Sequence, residues 1–215
     1  MSDVDLDRAL SLGLADVSRE TRAGLDLLVV ELRRWQAIKN LVGPATLDQV
    51  WTRHVADSLQ LLSIEHDASR YLDLGSGAGF PGLVLGIALR ERAGAQVHLV
   101  ESNGRKCAFL RHVARITGAP VTVHQSRIEV AMAPFAGGVD VVTARALASM
   151  TQLLAWTAPL LTTGARGLFP KGRNVADELT EARESWRFDA RLVPSRTDPE
   201  GHIVHLRSVS EIQTR

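Results

Sequence analysis

A chain of 215 residues with 45% hydrophobic content can bury the core of one main domain with an appendage, and it leaves no room for a second full-size domain. A net charge of +1 excludes a bulk polycation, and a single cysteine, Cys107, excludes an internal disulfide or a cysteine metal cluster, in agreement with a reducing compartment. The seven histidines show no metal-ligand spacing, so no metal is expected; an acidic start, Met1-Ser2-Asp3-Val4-Asp5, and charge-interrupted apolar stretches point to a cytoplasmic protein with no membrane partner.

Residues 1–66 read as all-helical. Over 18–39, Leu25, Leu28, Val29, Leu32 and Trp35 recur at helical intervals, with Ser18 as a cap. After the breaker Asn40-Leu41-Val42-Gly43-Pro44, a Thr46/Gln49 capping-box pattern predicts a second helix carrying Val50, Trp51, Val55, Leu59 and Leu62. His54, Asp57 and Ser58 share one side of it, either as local helix pairs or as part of a site. From about residue 70 strands and helices alternate, which calls for a parallel sheet with crossovers on both faces. The pattern predicts strands near 70–75, 96–101, 120–124, 139–144 and 165–170, and helices near 81–92, 104–117, 147–161 and 173–185. Arg187 to Val193 and His202 to Arg207 alternate apolar and polar residues around the turn-rich Pro194 to Gly201, which predicts a terminal hairpin and a seven-stranded mixed sheet. In such open sheets ligands bind at the carboxyl ends of the strands.

The first strand ends in Asp73-Leu74-Gly75-Ser76-Gly77-Ala78-Gly79-Phe80-Pro81-Gly82. Glycine admits positive φ and close ligand approach, and Pro81 suits the first turn of the following helix. Glu101 closes the second strand 22 positions after Gly79, where an acid can take both ribose hydroxyls of a nucleotide cofactor. Dinucleotides and S-adenosylmethionine both use this arrangement. The dinucleotide fingerprint wants a glycine at the position of Phe80, whereas the glycines fall at 75, 77 and 79. A carboxylate at Asp73 suits a cationic methionine amino group and sulfonium better than a pyrophosphate; the competing reading is that Asp73 only caps a loop.

Charge is distributed unevenly: residues 1–66 carry net −3 and the remainder net +4. Two windows hold no acid, Ser102 to Ile128 with Arg105, Lys106, Arg111, Arg115 and Arg127, and Val141 to Ala176 with Arg145, Arg166, Lys171 and Arg173. These cations are either ordinary solvated faces or an RNA contact. At the later strand ends, Gln125-Ser126-Arg127-Ile128-Glu129 offers a backbone N–H and a carboxylate to an adenine edge. Arg145 in Thr143-Ala144-Arg145-Ala146 can pair bidentately with a methionine carboxylate, and Pro170-Lys171-Gly172-Arg173-Asn174 forms a short basic turn.

In order along the chain, Trp35 with Asn40-Leu41, Arg53-His54 with Asp57-Ser58, Leu72 to Gly82, Glu101 with Arg105-Lys106 and Phe109-Leu110-Arg111, Ser126 to Glu129, Ala144-Arg145-Ala146 and Lys171-Gly172 closely resemble the small-subunit ribosomal RNA methyltransferase G family, RsmG or GidB. The resemblance spans roughly residues 25–207. It implies an α/β, class I Rossmann-like methyltransferase domain over 67–215 behind a helical extension over 1–66. It further implies S-adenosyl-L-methionine as cofactor and methylation of ring nitrogen 7 of one guanosine in the 530 loop region of 16S ribosomal RNA, naked or within a 30S particle or assembly intermediate. Cofactor contacts are implied at Gly75, Phe80, Ile128, Glu129 and Arg145, to which residue reading adds Gly77 and Glu101. His54, Arg105, Lys171 and Arg173 are the expected substrate-side residues, no catalytic residue is assigned because the transfer rests on alignment, and a monomer is expected. Competing readings are a dinucleotide-dependent oxidoreductase, a methyltransferase for small molecules or protein, and a non-catalytic ribosome-binding protein. Thr143 stands where the family often has serine and Val42 where it often has threonine. The long 194–201 turn is expected to bear on stability or RNA fit rather than on methyl transfer.

Overall fold

A computed structural model describes residues 3–12, 16–37, 41 and 43–212. The seven strands β1 (Arg70–Leu74), β2 (Gln96–Glu101), β3 (Val121–Gln125), β4 (Val141–Ala144), β5 (Arg166–Lys171), β6 (Trp186–Pro194) and β7 (His202–Glu211) form one sheet in the order β3-β2-β1-β4-β5-β7-β6. The first five strands are parallel, and the hairpin β6–β7 adds antiparallel pairing at one edge. Strand order reverses between β1 and β4, so the crevice at their carboxyl ends is where a ligand is expected in a sheet of this kind.

Helices cover both faces: α1 (Asp3–Ser11), α2 (Arg19–Gln36), the single turn α3 (Asp57–Leu59), α4 (Gly82–Ala88), α5 (Gly104–Thr117), the short α6 (Ile128–Ala131), α7 (Met150–Leu161) and α8 (Val175–Ala182). One core joins Leu25, Leu28 and Leu32 of α2 to Leu83 and Val84 of α4 and Phe109 of α5. The other joins Leu153 and Leu154 of α7 to Val142, Phe169 and Val204 on the opposite sheet face. Residue 66 therefore marks a change of element type, while hydrophobic packing runs across it.

Ser18 caps α2 by accepting from the Thr21 N–H, as its spacing predicts. The second N-terminal helix is broken up instead of continuous: Pro44–Gln49 and Gln60–Ser63 are 3-10 turns, and Trp51–Ala56 is a π-helical turn ahead of α3. A long-range cap supplies part of the reason. The buried Asp5 carboxylate of α1 accepts from the backbone N–H of Trp51 (2.9 Å) and Thr52 (3.2 Å), fixing donors at the start of the π turn. The Thr46 side chain, Lys39, Asn40 and Val42 lie outside the described residues. Helix α7 begins at Met150 rather than 147 because Ser149 caps it and Ala146 holds a positive φ of 50°.

Tight packing beneath the glycine loop is the feature that positions the site. A Cβ on Gly82, the first residue of α4, would stand 2.7 Å from Asp73 Oδ2 and would run into the Leu99 side chain, whereas one on Gly172 meets nothing within 4 Å. Gly82→Ala is expected to cost about 1–3 kcal/mol by overpacking. For a chain of this size that lowers the melting temperature by several degrees, at roughly 2–4 °C per kcal/mol. Gly172→Ala should stay within about 0.5 kcal/mol of the parent, and thermal unfolding of the two variants checks the contrast.

Candidate functional site

The site is built on a buried carboxylate. Asp73 is fully enclosed, yet both oxygens are bonded: Oδ1 accepts from the Thr143 hydroxyl of β4 (2.7 Å) and Oδ2 from the backbone N–H of Gly82 (3.2 Å). One side chain thus ties β1 to its neighbour β4 and to the start of α4. Burial pushes its pKa up to about 6, against the lowering effect of these hydrogen bonds and of the nearby Arg145 charge. The loop above it turns at Gly75, whose φ of +62° and 2.6 Å separation from Leu147, measured to an added Cβ, admit only glycine without displacement.

Glu101 at the end of β2 is nearly buried and accepts two backbone N–H bonds, from Gly77 (2.9 Å, Oε2) and Asn103 (2.7 Å, Oε1). A carboxylate offers about four lone-pair positions, so two remain for a ligand. Gly75, Gly77, Glu101, Ile128 and Glu129 come together with Lys106 around one cavity of about 340 Å³. That gathers five of the seven cofactor-side residues expected from the sequence.

The other two, Phe80 and Arg145, sit elsewhere. The Arg145 guanidinium donates to the Arg53 carbonyl (2.8 Å), to Asp57 Oδ2 (3.1 Å) and to His54 Nδ1 (2.8 Å), and it lies 5.6 Å from the centroid of the Phe80 ring. Phe80 is buried against the stacked His54 ring, with centroids 4.8 Å apart, and lines neither this cavity nor the next. Since His54 Nδ1 accepts from Arg145, its proton resides on Nε2, a buried atom with no hydrogen-bond partner. Burial first, then the charges of Arg145 and Arg53, lower the His54 pKa to about 3.

Arg145, His54 and Lys171 line a second cavity of about 470 Å³, which meets the first at Ala146. Lys171 Nζ donates to the Ala148 carbonyl and to Glu178 Oε2, both at 2.6 Å, leaving one of its three protons uncommitted. Arg105 and Arg173 are exposed and line neither cavity. Among the described residues no group of three or more His, Cys, Asp or Glu is placed to hold a metal ion.

Sequence reading missed the hairpin turn as a wall of this second cavity. Ser195, Thr197, Asp198 and Gly201 line it, and the turn is bonded to the 57–60 segment. The Thr197 hydroxyl donates to Asp57 Oδ1 (2.7 Å), while Gln60 Nε2 donates to Ser195 Oγ (3.3 Å) and Gln60 Oε1 accepts from the Arg196 N–H (2.9 Å). The contacts bridge more than 130 positions, and the only local hint was the turn's length.

Comparison with known proteins agrees with this geometry. The family model described as rRNA small subunit methyltransferase G matches residues 22–204. A protein named Ribosomal RNA small subunit methyltransferase G from Methylorubrum populi is 62% identical over 92% of this chain and 93% of its own length. One of the same name from a Bradyrhizobium species is 52% identical over 92% of this chain and 89% of its own. Among solved structures, a SAM-dependent methyltransferase from Aquifex aeolicus superposes with a TM-score of 0.56 at 17% identity, covering 80% of this chain and 96% of its own. An RNA methyltransferase from Salinibacter ruber in complex with S-adenosyl-L-homocysteine superposes at 0.50 with 22% identity, covering 74% and 94%. At such identities the superpositions establish the fold.

The two perturbed groups pull stability in opposite directions. Asp73 has a folded pKa of about 6, above its ordinary 3.8, so its contribution is full below pH 4 and is lost as pH rises toward 6. His54, lowered from 6.5 to about 3, contributes fully above pH 6.5 and loses that contribution as pH falls toward 3. Relative to the parent, Asp73→Asn should gain stability with rising pH between 4 and 6 and His54→Gln should lose it, each with a slope of at most about 1.4 kcal/mol per pH unit. Urea unfolding at several pH values checks this; curves parallel to the parent would contradict it.

Proposed function

This chain belongs to the rRNA small subunit methyltransferase G family, and we propose that it transfers a methyl group from S-adenosyl-L-methionine to ring nitrogen 7 of a guanosine in the 530 loop region of 16S ribosomal RNA. The observation that carries this reading is the junction at Ala146 of two cavities on the carboxyl edge of the sheet. One is walled by the glycine loop and Glu101, the other by Arg53, Arg145 and Lys171. A nucleoside cofactor and a polyanionic substrate require two such compartments side by side.

The residues present fit the cofactor: Gly77 leaves room over the backbone, Gly75 makes the turn that shapes the loop, and Glu101 keeps lone pairs for two hydroxyls. When bound there, the cofactor supplies an electrophilic methyl group on a sulfonium centre. Glu101 would hold the ribose, and Ile128 with Glu129 would read the adenine edge. Arg145, whose present partners are all acceptors, would take the methionine carboxylate by exchanging one of them. Phe80 supports that arginine from beneath. His54 and the free proton of Lys171 would face the guanosine, while Arg105 and Arg173 would meet flanking phosphates.

Guanine nitrogen 7 carries a lone pair that needs no deprotonation, so the chemistry asks the protein for alignment and not for a general base. Holding the reacting atoms in line at ~3–3.5 Å can supply ~7–11 kcal/mol of barrier reduction in favourable cases. The lowered pKa keeps His54 neutral at physiological pH, so it presents a hydrogen-bond donor and no charge. The substrate is 16S RNA, naked or within a 30S particle or an assembly intermediate, the chain acts as a monomer, and its setting is the cytoplasm.

Mass spectrometry of 16S RNA fragments from cells with and without the protein tests the reading. One guanosine methyl should be missing without it, and an unchanged methylation pattern would refute the assignment. In purified protein, Glu101→Gln should weaken S-adenosyl-L-methionine binding roughly 10- to 100-fold, the loss expected when hydrogen bonds to a charged group worth about 1.5–3 kcal/mol are weakened. Calorimetry reads that change.

A further inference from the structure

A third cavity, of about 310 Å³, lies between the Gln60 to Glu65 segment and the outer face of the hairpin. Arg191 of β6, Arg196 of the turn and Arg207 of β7 line it and are exposed. None of the three guanidinium groups has a carboxylate partner among the described residues. Glu65, the acid of this groove, is already held by His205 (2.7 Å) and Arg166 (3.4 Å). The arginines face the same way for a structural reason. Arg191 sits opposite His205, and Arg207 is left without a partner on β6 by the register shift at Asp189/Ala190. Arg207 follows Ile203 and His205 on the groove face by simple alternation, and the bulge then returns Val209 to the core behind the sheet.

The groove adjoins the larger reaction cavity across the bonds from Gln60 to Ser195 and Arg196. Ile203 lines both, and the Ser195–Arg196 step is their shared wall. His202 pairs with Lys171 at the carboxyl edge, and Arg207 lies five residues further along β7, about 17 Å at ~3.3–3.4 Å per residue. Three uncompensated, bidentate-capable cations in a groove beside a cavity for one nucleoside suit phosphates on the same strand.

We infer that Arg191, Arg196 and Arg207 form a backbone track for the RNA strand that flanks the target guanosine, leading from the reaction cavity down the face of the sheet. This rests on the RNA substrate proposed above and adds a surface distinct from Arg105, Lys171 and Arg173. Guanidinium groups on phosphates neutralise charge and release counterions, so the track contributes affinity and register without reading sequence.

The experiment compares the full-length protein with the triple variants R191A/R196A/R207A and R191K/R196K/R207K. Each binds a 16S RNA transcript containing the 530 loop at several salt concentrations, with S-adenosyl-L-methionine affinity and thermal melting measured alongside. Three lost contacts at about 0.7 per phosphate on a single strand should flatten the alanine variant's slope of log K against log salt by about 2. A fourfold rise in salt then weakens the parent about 20-fold more than that variant. The lysine variant should keep most of the parent slope, and cofactor affinity should be unchanged in both. An alanine variant with the parent slope overturns the track alone, as does equal loss in both variants together with lowered melting or cofactor affinity, which would mark a packing role. A parent protein that neither binds the transcript nor methylates 16S RNA overturns the RNA reading itself.

Discussion

A single buried carboxylate holds the site in place. Asp73 ends neither in solvent nor against a cation but between the Thr143 hydroxyl and the Gly82 N–H. Enclosing a carboxylate costs several kcal/mol even after relaxation, roughly, and the raised pKa records that cost. In return the two strands flanking the topological switch point and the start of α4 are fixed to one another through one group. The glycine loop between them then has little freedom, and Gly77 can deliver its N–H to Glu101. Asp73, which the sequence offered as a carboxylate for a cationic methionine end or as a loop cap, bonds both a strand neighbour and the start of the helix after the loop.

Arg145 performs the complementary task at the surface. It extends from the end of β4 into the N-terminal helical segment, where it meets a main-chain carbonyl, a carboxylate and a neutral imidazole. Asp57 in turn accepts from Thr197, which draws the hairpin turn into the same network. Three parts of the chain, 53–60, 145–146 and 195–201, therefore define one cavity wall together. The π-helical turn at Trp51–Ala56 belongs to this arrangement, because a non-standard turn shifts the residues that follow it relative to those of a regular helix. The cavity beside Glu101 and the larger cavity beside Arg145 and Lys171 meet where Ala146 adopts its positive φ.

Much of this was legible in the sequence, and the division follows the range of the physics. Alternation and apolar runs placed all seven strands within about two residues at most ends, because strand burial imposes a local period. Gly75, Gly77 and Glu101 were legible because backbone turns and strand-end acids are local demands. Contacts that bridge distant segments were not: Asp5 capping the π turn, Thr197 bonding Asp57, and the Arg145 fan all depend on tertiary placement of residues with no distinctive spacing. The same limit explains why a continuous helix was expected where a segmented one exists. It also explains why the 194–201 turn, expected to bear on stability or RNA fit, gave no sign of its bonds to Asp57 and Gln60.

The central claim is that the cavity between Glu101 and Glu129 receives the adenosyl group, with the amino-acid end directed toward Ala146 and Arg145. A crystal structure of the full-length protein with S-adenosyl-L-homocysteine tests it most directly. The account requires ribose hydroxyls on the Glu101 carboxylate and the base beside Ile128 and Glu129. Density for the ligand in the larger cavity beside Lys171 instead, or a ribose making no contact with Glu101, would contradict it.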